Sequence, residues 1–143
     1  MNNRMNIEFD SKSANEAFAR LVIAGFVTSL DPTVEEMEEI KTAVSEAVTN
    51  SVIHGYQMKD GVITMECNIH NNEVTITVKD NGVGIEDIEK AKEPLYTTCE
   101  EEERSGMGFA FMEMFMDVVE VESEIGKGTT VRMKKYIRSN FIE

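Results

Sequence analysis

The spacing of the apolar residues changes along the chain near Gly61, and this change restricts the fold more than any other feature. Apolar residues recur at helical spacing in 14–29 and in 33–54, which is typical of amphipathic helices. They then alternate with polar residues in 61–69 and in 74–78, which is typical of strands buried on one face. The chain therefore combines helices with a sheet.

The same patterns predict a first strand, a short apolar helix and a closing hairpin, at 5–10, 107–116, 118–125 and 129–136. The resulting order is β-α-α-β-β, a polar segment, and then α-β-β. It predicts an α+β fold, a two-layer sandwich in which helices cover one face of a mixed, mainly antiparallel sheet.

Two capping boxes predict where the long helices begin. Ser13 with Glu16 precedes the first helix, and Thr33 with Glu36 precedes the second. The acidic first turn of the second helix also suits the positive end of the helix dipole. Gly55 is expected to be the C′ residue that ends this helix, because glycine readily adopts the left-handed conformation found there.

The chain is strongly acidic, with 14 Lys and Arg against 27 Asp and Glu and a net charge of −13. This balance disfavours binding to nucleic acids and to anionic membranes, both of which require a basic surface. No apolar run reaches the ~18 residues of a membrane span, and no signal peptide is recognisable. Cys67 and Cys99 form no CxxC motif, and neither His lies in a metal-binding motif. We expect a cytoplasmic protein. The acidity favours a basic partner over an acidic one, but it is more often a means of solubility alone.

The length of 143 residues predicts a single domain, 1–143. Within it, residues 86–105 show no helical or strand period and contain Pro94 and the acidic run 100–103. Their length and polarity predict a mobile segment or lid.

The second helix carries polar residues that could bind a ligand or take part in a reaction. Glu46, Asn50 and His54 are spaced four residues apart, so they share one stripe beside apolar positions. A carboxylate and an amide at the border of an apolar face need a reason, because burying them unpaired costs free energy. Taken alone, the stripe is also compatible with the ordinary edge of an amphipathic helix.

The strand at 74–78 runs into Asp80-Asn81-Gly82-Val83-Gly84. Asn-Gly by itself indicates no more than a turn. Asp80, however, closes an apolar strand, so its carboxylate should lie in or beside the core. A buried acceptor there could bind an exocyclic amine such as that of adenine, while Gly84 allows close approach of the backbone.

Two further glycine-rich segments follow. Ser105-Gly106-Met107-Gly108 precedes a helix and could present successive N–H groups and the helix dipole to a phosphate. The segment 126–130 is compatible with a plain hairpin turn and is not a Walker A loop, because no glycine stands five residues before Gly126.

The four segments together resemble the motifs of the GHKL (Bergerat-fold) ATP-binding superfamily. The helix of Glu46 and Asn50 is similar to the family's N box, and Asp80-x-Gly82-x-Gly84 to its first glycine box. The second and last boxes correspond to 106–108 and 128–130, in the family's order. Within the superfamily, 46–56 and 103–109 resemble most the anti-sigma factor serine kinases of sporulating bacilli.

The resemblance implies a role for individual residues around ATP and Mg²⁺. Asn50 would ligate Mg²⁺, and Glu46 would act as general base toward the attacking hydroxyl. Asp80 would bind the adenine amine with support from Thr130. The remaining residues implied to contact the nucleotide are Gly82, Gly84, Arg104, Ser105, Gly106, Met107 and Gly108.

Some features depart from the histidine-kinase branch of the superfamily. Ala110 stands where many histidine kinases have a third glycine, and no dimerisation helix pair with a phosphoacceptor histidine is present. Neither His54 nor His70 is followed by the acidic and Pro pattern of a phosphoacceptor. We therefore expect the phosphate acceptor to be another protein.

The resemblance implies an anti-sigma factor that is also an ATP-dependent protein serine kinase. It would hold a sigma factor inactive and phosphorylate a serine of an anti-anti-sigma protein, and it would form a homodimer, for which 1–30 is the expected surface. One alternative is a nucleotide-gated sigma-binding module with little or no kinase activity. Another is the ATPase fragment of a larger machine.

Overall fold

The computed structural model of the chain describes residues 1–92 and 108–138. Its helices and strands, in chain order, are β1 (Asn2–Asp10), α1 (Ala14–Val27), α2 (Val34–Asn50), β2 (Val62–His70), β3 (Glu73–Asp80), α3 (Ile88–Ala91), α4 (Gly108–Phe115), β4 (Val118–Glu124) and β5 (Gly128–Tyr136). A short 3₁₀ helix, Thr28–Leu30, follows α1. Among the helices of this part of the chain, none combines the length and apolarity needed to cross a bilayer.

The five strands form one sheet in the order β1-β2-β3-β5-β4, and every neighbouring pair is antiparallel. The α+β prediction is confirmed, and the sheet is antiparallel throughout the described strands rather than mixed. β3 and β5 lie side by side although α3 and α4 separate them in sequence. Their register places Asp80 opposite Thr129.

The core lies between the helices and one face of this sheet. In β2 the alternate residues Ile63, Met65 and Cys67 are fully buried, while the residues between them are at least partly exposed. Ile23 of α1 and Ile40 of α2 are fully buried in the same cluster. The two-residue period of the strands therefore gives the sheet one apolar face, which the helices cover, as predicted.

The capping box at the start of α2 is present as predicted. The Glu36 N–H donates to Thr33 Oγ1 (3.0 Å), and the Thr33 N–H donates to Glu36 Oε1 (2.9 Å). The capping box predicted at Ser13 is wrong. Ser13 has a helical backbone conformation, φ −56° and ψ −34°, and its side chain makes no cap hydrogen bond. An N-cap hydroxyl reaches the N–H groups of the first turn from extended backbone, which Thr33 has and Ser13 lacks.

Replacing Thr33 by Ala should lower the free energy of unfolding by about 1 kcal/mol, because the Glu36 N–H loses its side-chain acceptor. The matched variant Ser13→Ala, at the other helix start, should leave it nearly unchanged. Urea denaturation followed by circular dichroism measures both. Equal losses in the two variants would contradict the capping geometry described above.

The end of α2 differs from the prediction. The helix does not stop before Gly55 but continues as a π-helix, Ser51–Gly55, in which the Tyr56 N–H donates to the Ser51 carbonyl (2.8 Å). Gly55 is not in the left-handed conformation, so it is not a C′ residue. It is buried against the end of β3, where a Cβ would lie 2.8 Å from an oxygen of Asp80.

The segment predicted as a lid is only partly described. Residues 88–91 form the single turn of α3, where the Asp87 side chain accepts from the Lys90 N–H (3.1 Å). Residues 93–105 of that segment lie outside the described ranges.

Candidate functional site

Asp80, at the last position of β3, is the centre of the site. The residue is 5% exposed. Oδ1 accepts hydrogen bonds from the backbone N–H groups of Gly82 (2.9 Å) and Thr129 (3.2 Å). Oδ2 accepts from the Ser51 hydroxyl (2.8 Å). Three separate parts of the chain therefore converge on one carboxylate.

The environment of Asp80 acts on its charge in two opposing ways. Burial raises the pKa of this carboxyl group, and the hydrogen bonds from Gly82, Ser51 and Thr129 lower it, with a net rise above the ordinary 3.8. A carboxylate offers about four acceptor positions, and donors within the described residues use three of them. The remaining capacity on Oδ2 suits an N–H donor such as an aromatic amine.

The glycines that follow Asp80 are required by packing within the protein itself. A Cβ on Gly82 would lie 2.1 Å from the Gly55 carbonyl oxygen. Gly84 has φ +82°, and a Cβ there would lie 2.3 Å from the Glu124 carbonyl oxygen. Any side chain at either position would displace backbone. The expected reason for these glycines was approach to a ligand; the structure shows that approach of backbone to backbone already requires them.

In the loop 81–85, backbone groups of Asn81, Val83 and Ile85 form hydrogen bonds with other parts of the protein. Two of its N–H groups are bound by side-chain hydroxyls of other elements, and the rest of the network joins it to the end of the π-helix and to the β4–β5 turn. The bonds are Asn81 N–H to Tyr56 Oη (2.7 Å), Val83 N–H to Gly55 O (2.9 Å), Ile85 N–H to Ser123 Oγ (2.7 Å) and Gly126 N–H to Val83 O (2.8 Å). The loop that follows Asp80 is therefore held in place by the protein itself.

Thr130 was predicted to support Asp80, and the structure corrects this. Thr130 pairs with Lys79 and lies on the opposite face of the sheet, because successive strand residues point to opposite faces. The residue opposite Asp80 is Thr129, which is 5% exposed and donates its N–H to the carboxylate.

Glu46 and Asn50 lie one turn apart on α2, and both are partly exposed. α2 packs against α4, whose first residue is Gly108. A Cβ on Gly108 would lie 3.4 Å from Glu46 Oε2, so the carboxylate lies beside the start of this helix. The structure thus brings the end of the predicted phosphate segment next to the predicted general base.

Carboxylate and amide oxygens of this kind are the ligands that Mg²⁺ prefers. Within 1–92 and 108–138, no group of three or more His, Cys, Asp or Glu residues is arranged to hold a metal ion. Asn50 offers one amide oxygen of the kind that Mg²⁺ accepts, and the phosphates and water would have to supply the other ligands. The predicted site residues Arg104, Ser105, Gly106 and Met107 lie outside the described ranges.

Sequence reasoning missed several residues of the site. Ser51 follows Asn50 directly and lies off the stripe of Glu46 and Asn50. It continues the buried stripe of Val44 and Ala47 at helical spacing, and its hydroxyl reaches Asp80 from there. The other missed residues are Gly55, Tyr56, Ser123 and Thr129. Of these, only Thr129 has a signal in the sequence, the alternation of an antiparallel strand.

Comparisons with known proteins agree with this arrangement. The sequence profile of the family described as "Histidine kinase-like ATPase domain" matches residues 9–135. A protein named anti-sigma F factor from a Thermoanaerobacter species is 62% identical over 138 residues, which are 96% of this chain and 96% of that protein. An anti-sigma F factor from Clostridium botulinum is 63% identical over 134 residues, 93% of this chain and 94% of its own length.

Solved structures share the fold. The RsbU and RsbW domains of a Mycobacterium tuberculosis protein match with a TM-score of 0.67 at 18% identity, over 94% of this chain and 32% of that chain. A blue-light activated histidine kinase of Erythrobacter litoralis matches with a TM-score of 0.57 at 21% identity, over 78% of this chain and 34% of its own. At these identities the likeness concerns the fold.

Proposed function

The chain belongs to the family of histidine kinase-like ATPase domains, and from that premise we propose that it is an anti-sigma factor that binds ATP and acts as a protein serine kinase. The observation that carries the proposal is the 62% identity to an anti-sigma F factor over 96% of both chains. Because the identity extends over nearly the whole length, the chain has the same helices, strands and loops with which to bind a nucleotide and a partner protein. The chain then works as one nucleotide domain over residues 1–143.

In this proposal the adenine amine donates to Asp80, whose burial makes the hydrogen bond strong. The triphosphate extends toward the start of α4 at Gly108, and the residues proposed to bind it with Gly108 are Arg104, Ser105, Gly106 and Met107. The net charge of −13 repels a polyanion, so local N–H groups and cations must offset it. Mg²⁺ on Asn50 would neutralise phosphate charge and orient the γ-phosphate.

Glu46 is the proposed general base. Its carboxylate accepts the proton of a partner's serine hydroxyl as the serine oxygen forms a bond to the γ-phosphorus. The bond from that phosphorus to the β,γ-bridging oxygen breaks, and ADP carries away the electron pair. The position of Glu46 beside Gly108 supports this assignment, because the base must reach the end of the phosphates.

The proposed partners are a sigma factor, held inactive, and an anti-anti-sigma protein that receives the phosphate on serine. We further propose that the protein acts in the cytoplasm during sporulation and forms a homodimer through residues 1–30. The segment 86–105 is the proposed lid, ordered when the γ-phosphate is present.

The test uses the purified chain, γ-labelled ATP with Mg²⁺, a candidate sigma factor and its candidate anti-anti-sigma protein. We expect label on a serine of the anti-anti-sigma protein and capture of the sigma factor in gel filtration. Capture that depends on ATP without transfer of label would instead support the alternative, a nucleotide-gated sigma-binding module. Absence of both ATP binding and capture would contradict the proposal.

A further inference from the structure

Tyr56 occupies a position in the site that its motifs do not assign. It is the first residue after the π-helix Ser51–Gly55, and its ring is partly buried against the core. Its hydroxyl donates to the Val62 carbonyl at the start of β2 (2.6 Å) and accepts from the Asn81 N–H (2.7 Å). One hydroxyl therefore joins the beginning of β2 to the residue that follows Asp80.

The surrounding backbone is built to hold this ring. A Cβ on Gly61 would lie 2.5 Å from two ring carbons of Tyr56, so the ring fills the space that a side chain would need. Gln57 and Met58 both have positive φ, 55° and 66°, a conformation that L residues with side chains rarely adopt. The Met58 N–H donates to the Val52 carbonyl (2.9 Å), which secures this turn. The turn that connects the π-helix to β2 therefore contains two residues with strained backbone, directly after Tyr56.

We propose that Tyr56 is a positioning residue for base recognition, acting through Asn81 on the Asp80 carboxylate. The Asn81 N–H belongs to the peptide group that leaves Asp80, so an acceptor on it restricts the direction of the backbone at that point. Asp80 Oδ1 binds the Gly82 N–H on the far side of the same turn. The Asp80–Asn81 peptide group is thus held by Tyr56 and the following N–H by Asp80 itself, and together these bonds restrict the orientation of the carboxylate. This inference rests on the proposed function, since it assumes adenine at Asp80.

The effect of this positioning can be measured as the preference for adenine over guanine. Adenine presents an amine to Asp80, whereas guanine presents a carbonyl oxygen at the corresponding position and would face a carboxylate oxygen directly. A carboxylate with a fixed orientation repels the guanine oxygen strongly and lowers the affinity for GTP. A carboxylate that can rotate away repels it less. Tyr56 therefore affects the ratio of ATP to GTP affinity and not only the affinity for ATP.

The decisive variant is Tyr56→Phe, which keeps the ring and removes the hydroxyl. Losing a hydrogen bond of this kind weakens an interaction by about three- to tenfold. We expect the Kd for ATP and for adenosine to rise by that factor, with a smaller rise for GTP, in isothermal titration calorimetry well below the unfolding temperature. Adenosine is included because it lacks phosphates, so its loss reports on the base side alone.

Tyr136→Phe is the matched control. Tyr136 ends β5 at the other end of that strand from Thr129, it is 39% exposed, and its hydroxyl is hydrogen-bonded to Glu73. The control should leave both affinities unchanged. Gly61→Ala displaces the ring without removing the hydroxyl. It should lower the ratio of ATP affinity to GTP affinity, as Tyr56→Phe does.

The outcomes separate this inference from the function on which it rests. If the unaltered chain binds neither ATP nor adenosine, the proposed function fails. If it binds both, and Tyr56→Phe keeps the same affinities and the same ATP to GTP ratio, the role of Tyr56 is refuted while the function stands. An equal loss for ATP and GTP in both Tyr56→Phe and Gly61→Ala would also refute it, because it would indicate a merely structural effect.

Discussion

Asp80→Asn should raise the Kd for ATP by about tenfold to a hundredfold, which corresponds to losing a hydrogen bond to a charged group. The amide can keep its oxygen toward the N–H groups of Gly82 and Thr129 and turn its nitrogen toward Ser51, whose hydroxyl then accepts. The atom that would face the adenine amine becomes a donor. Two donors then oppose each other at the base, while the hydrogen bonds within the protein survive.

The stability of Asp80→Asn should not fall with its affinity. Because burial raises the pKa of Asp80, the carboxyl group's contribution to stability is fully present below its ordinary pKa of 3.8 and is lost as pH rises through the higher folded-state pKa. At neutral pH the ionised group is therefore a cost, which the neutral amide lacks. We expect the free energy of unfolding to be unchanged or slightly higher at pH 7, measured by urea denaturation, and the part of its pH dependence due to Asp80 to disappear.

Asp60→Asn is the control for charge. Asp60 is exposed and lies in the turn before β2, so the variant removes one negative charge without altering a residue of the site. Removing a charge from an acidic chain can only favour a polyanion, and ATP affinity should stay the same or improve slightly. An Asp80→Asn variant that bound ATP as tightly as the Asp60→Asn variant would show that Asp80 does not hold the base.

Glu46→Gln should lower the rate of phosphoryl transfer to the protein acceptor by about 10²- to 10⁴-fold, the usual contribution of a general base. Gln has the same shape, so the side chain should keep its position beside Gly108 at the start of α4. ATP affinity should therefore change much less than the rate. Single-turnover transfer of labelled phosphate, combined with calorimetry, separates the two.

Glu38→Gln is the matched variant on the same helix. Glu38 is exposed and forms an ion pair with Lys41 (3.0 Å), which contributes little to stability. Both its rate and its ATP affinity should equal those of the unaltered chain. Near-normal transfer by Glu46→Gln would assign the proton to another group, and a collapse of ATP affinity would make Glu46 a binding residue instead.

Most of the elements could be predicted from the sequence, because they depend on local periodicity. The helical spacing in 33–54 and the alternation in 61–69 each depend on burial of one face, and burial decided both elements. The capping box of Thr33 was equally local. The box at Ser13 has the same residue types but failed, because capping also requires extended backbone at the cap, and residue types alone do not determine that.

The site was less predictable where it depends on pairing between distant segments. Asp80 was identified as a buried acceptor, but its partner on β5 was assigned one residue too far, at Thr130. The register between β3 and β5 decides this, and a shift of one residue reverses the face. Ser51 was missed because its hydroxyl lies on the buried face of the helix, at helical spacing from Val44 and Ala47, and the sequence does not show that the end of β3 packs against that face.

The hydrogen bond from Thr129 to Asp80 joins residues 49 positions apart in the chain. During synthesis Ser51 is made first, then Asp80 and Gly82, and Thr129 much later. A nascent chain that ends before residue 129 carries the carboxylate with two of its three donors and without the neighbouring strand β5. The complete set of hydrogen bonds to Asp80 is thus a late product of translation, and a chain released by interrupted synthesis before β5 lacks it.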